Sequence, residues 1–124
     1  MIVASITNNY QGLVNTTSAE QIVRGPLTLS GNYGTSTSHG DTLSFANIYG
    51  IQSRAIPSRV VIYQQPASGT APGNCTGVYC PGTTNANGVV SFSNAGTELT
   101  EGAAYTGAVA SAVWFFEAYF AVGL

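Results

Sequence analysis

The closing run of the chain constrains its fold more than any other segment. From Val113 to Leu124 nearly every residue is apolar, and Glu117 is the single charge. In a strand, successive side chains point to opposite faces. Val113, Phe115, Glu117, Tyr119 and Ala121 would then share one face, and Trp114, Phe116, Ala118, Phe120 and Val122 the other. The second face is wholly apolar and the first nearly so, which predicts a central strand covered on both sides. As a helix the run is too short to cross a bilayer, and Glu117 interrupts it, so no membrane partner is expected.

Ser58–Gln65 is a second strand, with Val60 and Ile62 alternating with Val61 and Tyr63 between Pro57 and Pro66. Gly88–Ser93 is a third, after the turn signal Asn85-Ala86-Asn87-Gly88. Weaker strands are expected at Ile2–Ile6, Gln21–Ser30 and Asp41–Phe45. Pro26 places Gln21–Ser30 at a sheet edge or at a bulge. Asn32–Gly40 and the longer Pro66–Gly88 read as loops, and the latter is either functional or holds its own short hairpin. Glu98–Ala112 has room for a helical turn. Gly, Ser, Thr and Asn are abundant and lysine is absent, a balance that favours short strands and turns over helices. The expected fold is all-β. Residues 1–124 form a single-domain antiparallel β-sandwich or small barrel with a long Pro/Gly-rich loop.

Charge narrows the partners. Three arginines and five carboxylates make up 6% of the chain, against roughly 25% in an average soluble domain. A chain of 12.8 kDa should expose about 6,300 Å², which eight charges cannot cover. The remaining surface is uncharged polar or buried against other subunits, as suits a dense, ordered assembly. Arg24, Arg54 and Arg59 are too few and too scattered to grip a phosphate backbone, so nucleic acid is not an expected partner. The segment from Met1 to Asn9 lacks a basic stretch and a long apolar run, which points to synthesis in a cytosol.

No catalytic, cofactor or metal site is expected. Cys75 and Cys80 lack the further ligands that zinc requires, and a C-x-x-C motif is absent. They remain either a local disulfide, which would contribute about 2 kcal/mol across so short a loop, or two free thiols. His39 and Ser44 lack a nucleophile elbow, and His39 reads as a solvated loop residue. Asp41, Glu98, Glu101 and Glu117 show no more than chance spacing. Glu117, inside an apolar strand, requires a partner, either Arg54 or Arg59 or an interface. The sequons at Asn15 and Asn74 read as accidental without an export signal. Among the aromatic residues a minority is expected at interfaces, because Tyr and Trp combine large contact area with a polar tip. Tyr79 is foremost, since its surroundings are so polar, and Phe115, Glu117 and Tyr119 form a second candidate patch.

Several segments together resemble the small β-rich head decoration, or cement, proteins of tailed bacteriophages. They are Ser30-Gly31-Asn32-Tyr33-Gly34-Thr35, Gly40-Asp41-Thr42-Leu43-Ser44-Phe45, Pro81 to Gly88, Gly96-Thr97-Glu98-Leu99, and Phe115-Phe116-Glu117-Ala118-Tyr119-Phe120. These cover about a quarter of the chain, and all but the last read as a turn leading into a strand. The resemblance implies a non-enzymatic virion protein made in the host cytoplasm. It would sit on the outer capsid surface, often as a homotrimer, with the major capsid protein as partner. Met1 to Gln11 is then expected to act as an arm that adds a strand to a neighbour. The alternative is a host-surface binding module, such as a tail-fibre tip or adhesin, with Tyr33 and Tyr79 as a loop-borne aromatic platform.

Overall fold

The alternating C-terminal run lies at the centre of a sheet. The computed structural model describes residues 1–6, 8–13, 18–34, 39–46, 56–65 and 74–123. Its strands are β1 (Ile2–Ala4), β2 (Asn8–Leu13), β3 (Ser18–Leu29), β4 (Asp41–Leu43), β5 (Arg59–Gln65), β6 (Cys75–Cys80), β7 (Gly88–Asn94), β8 (Thr97–Glu98) and β9 (Val113–Gly123), with a short helix α1 (Gly107–Ser111) before the last. The first sheet runs β1-β3-β9-β5, with β2 on the same edge of β3 as β1. The second runs β4-β7-β6, with β8 beside β4 on β7. Every pairing is antiparallel, and the two sheets stack as an open sandwich without closing into a barrel.

The core lies between the sheets. β9 contributes Trp114, Phe116, Ala118 and Phe120, β3 contributes Val23 and Leu27, and β5 contributes Ile62. Val90 and Phe92 of β7 and Leu43 of β4 face them. Phe45, just beyond β4, sets its ring against Phe116 and Phe120, with centroids 5.8 and 5.4 Å apart. Phe92 meets Trp114 edge-on at 4.9 Å. Such tilted pairs place a positive ring edge against a negative ring face. The indole N–H of Trp114 donates to the Val109 carbonyl at 2.9 Å, which satisfies a buried donor and ties α1 to the core. The sheets approach closely at Gly77, where a Cβ would lie 2.7 Å from Ile62 Cγ2.

Several expectations require correction. β9 is central, as predicted, but only its Trp114 face is covered; Val113 is 47% exposed on the other. The N-terminal segment, expected as an arm, is paired within the chain: β1 and β2 both lie against β3. Pro26 is not at an edge, since β3 lies between β9 and the β1/β2 pair. The bulge that Pro26 implied is in the partner. Between Ala4 and Asn8 the chain spends three residues where β3 spends two, Gly25 and Pro26. There the backbone passes so near Gly25 that a Cβ would fall 1.6 Å from the Ser5 carbonyl oxygen.

The long Pro66–Gly88 segment contains β6, which forms a hairpin with β7. Its turn is held by Asn87, whose side chain accepts the Thr84 N–H at 2.9 Å and donates to Thr83 Oγ1 at 2.8 Å. Cys75 and Cys80 are both free and cap the two ends of β6. Five residues of extended chain span about 17 Å, while a disulfide needs Cα atoms less than about 7 Å apart. Cys75 also faces the core and Cys80 the solvent. Where β5 and β6 adjoin across the open side of the sandwich, Gln64 Nε2 donates to the Cys75 carbonyl at 2.9 Å.

Candidate docking surface

The outer face of the first sheet follows from register. Residues of β5, β9 and β3 line up in three rows: Tyr63–Phe115–Pro26, Val61–Glu117–Arg24 and Arg59–Tyr119–Ile22. Their neighbours along each strand point into the core, so all nine project outward. In the first row Tyr63 stacks on Phe115, with centroids 5.6 Å apart and planes 19° apart, and Tyr63 is 41% exposed. Directly opposed aromatic pairs of this kind stabilise a sheet by a few tenths of a kcal/mol up to about 1 kcal/mol.

The middle row carries the charge. Glu117 forms an ion pair with Arg24 and accepts a hydrogen bond from the Tyr119 hydroxyl. That hydrogen bond, and secondarily burial, pushes the Tyr119 phenol up from its ordinary range. In the third row the Arg59 guanidinium lies 5.5 Å from the Tyr119 ring centroid, a cation–π contact. The carboxylate that interrupts the closing strand is therefore neutralised within the sheet. Its partner is Arg24 rather than Arg59, and Arg54 lies outside the described residues. The result is a broad, mostly aromatic and aliphatic face whose charges are already engaged.

The structure gathers Phe115, Glu117 and Tyr119 on this face and leaves the other two candidates elsewhere. Tyr33 is 0% exposed, packed edge-on against Phe92 and Tyr105 at 6.4 and 5.7 Å. Its hydroxyl donates to Glu98 Oε1 at 2.8 Å. Burial, with this bond second, lifts its phenol to about 12. Tyr79 stands on the inner side of β6 against Phe45, ring centroids 6.0 Å apart, and its hydroxyl is enclosed with no hydrogen-bond partner among the described residues. Burial raises its phenol as well. Neither residue offers an exposed platform.

Sequence reasoning missed Tyr63 and Arg24 as members of the face and considered Arg59 only as a partner for Glu117. The alternation in Ser58–Gln65 placed Tyr63 opposite Ile62, but only register showed that it meets Phe115. The remaining polar residues separate as well. The Ser44 hydroxyl accepts the Ala46 N–H at 3.3 Å, whereas His39 faces Glu98 and Glu101. Asp41 is buried, accepting the Gly34 N–H at 3.0 Å and the Tyr105 hydroxyl. Burial first and Asp41 second drive the Tyr105 phenol upward. No family model, curated protein or solved structure matches the chain.

Proposed function

We propose that this chain is a structural, non-enzymatic binding module that decorates the outer surface of a virion head, holding neighbouring major capsid protein subunits together. The observation that carries the reading is the three-row outer face: stacked Tyr63 and Phe115, with Glu117 of its middle row neutralised by Arg24. Aromatic area with few unpaired charges is what interface centres are made of. The low charge of the whole chain and its resemblance to cement proteins support the same reading. In a homotrimer each contact after the first becomes intramolecular, so modest single contacts add up to firm retention against the outward push of packaged DNA.

Cosedimentation with heads that lack the protein tests this. The wild type should pellet with the heads, and Tyr63→Asp, at a partly exposed position, should fold normally and remain in the supernatant. Wild-type protein that stays soluble with heads but binds host cells would turn the reading towards an adhesin. Equal pelleting of the wild type and Tyr63→Asp would remove the outer face from the account.

A further inference from the structure

We infer that His39, Glu98 and Glu101 form a surface site for a divalent transition-metal ion, with zinc the best fit. The three donor groups come from two separate segments: the residue before Gly40 and β4, and β8 with the turn after it. Their ligand atoms all lie within 4.8 Å of one another. His39 Nδ1 is 3.3 Å from Glu101 Oε1 and 3.7 Å from Glu98 Oε2. Around a tetrahedral zinc ion with bonds of about 2.0–2.2 Å, neighbouring ligand atoms sit about 3.4 Å apart. The two distances from His39 therefore match the edges of a coordination shell.

The supports behind the donors match as well. Tyr33, wholly buried, donates its hydroxyl to the far oxygen of Glu98, which leaves Oε2 turned towards His39. A fixed outer partner of this kind orients a ligating carboxylate. The His39 backbone is fixed from outside the cluster by the Ser91 hydroxyl, which donates to its carbonyl. Two carboxylates balance the charge of a divalent ion. One imidazole selects against magnesium and calcium, which prefer oxygen alone. Three protein ligands leave one position for water or for a group on a partner. His39 is 81% exposed, so an ion has open access.

The test is independent of any capsid. His39 is the single histidine of the chain, so tag-free protein presents one imidazole. A Cys80→Ser background removes the exposed thiol as a competing ligand. Calorimetric titration of this protein with ZnCl2 at neutral pH should show one ion per chain. At zinc 100 times above the dissociation constant the folded-to-unfolded ratio should rise about 100-fold, seen as a raised melting temperature. MgCl2 at equal concentration should leave melting unchanged. In His39→Ala and in Glu98→Gln the zinc-induced shift should vanish, whatever their metal-free stability. CoCl2 should give visible absorption bands with the parent and not with His39→Ala. Absence of zinc binding by the parent, or an equal shift in His39→Ala, would overturn the site and leave an ion pair only.

Discussion

Phe115 and Phe116 are adjacent in sequence and opposite in consequence. Phe116 is wholly buried against Phe45, and truncating a buried Phe costs about 3–5 kcal/mol, a large share of the roughly 5–15 kcal/mol that holds a domain. Phe116→Ala should therefore unfold or nearly unfold the protein in urea titrations. Phe115→Ala removes a stacking partner on an outer face and should keep the fold while weakening particle retention. Equal collapse of both variants would mean that the outer face is not free. Tyr33 adds a pH dependence. Its phenol is raised to about 12 from 10, so the unfolded chain gives up this proton first as pH rises. The stability involved is intact below pH 10 and is lost progressively through about 12. Urea midpoints should fall across that window, and less steeply in Tyr33→Phe, because Tyr105 is raised too.

The strands that sequence revealed are those in which alternation is strong. β9, β5 and β7 lie within a residue or two of their expected ends, because a buried face every second residue leaves a pattern in the chain itself. β2 and β6 were hidden. Asn8 and Asn9 have poor strand propensity, and β6 holds Gly77 in a stretch otherwise rich in Gly and Pro. Their pairing with β3 and β7 compensates for what propensity lacks, and propensity is local while pairing is not. The partner of Glu117 was hidden for the same reason: Arg24 and Glu117 are neighbours only through register. Gly25 is a test at this scale. Gly25→Ala would drive a methyl into the Ser5 carbonyl. It should cost at least about 1–3 kcal/mol and should speed hydrogen exchange selectively in β1 and β2. Uniform protection across β1, β2 and β3 in the variant would contradict the bulge geometry.

At the scale of the molecule, the sandwich keeps two kinds of surface apart. One sheet turns a mostly aromatic and aliphatic face outward, and the second carries the His39, Glu98 and Glu101 cluster at its margin. Because the charges of the outer face are satisfied internally, its contacts should be only weakly screened. Particle binding measured between 50 mM and 500 mM NaCl should change by less than about threefold, where ion-pair docking would weaken strongly. Sequence could not reveal this division, since it depends on which strands become neighbours. A last consequence follows from Gln64. A sandwich with open edges is a template for growth, one copy adding its strand to the next until fibres form. By donating to the Cys75 carbonyl, Gln64 occupies an acceptor that a foreign strand would need, and it does so where two sheet edges meet. That one amide leaves the junction of the two sheets a poorer template for a second copy of the chain.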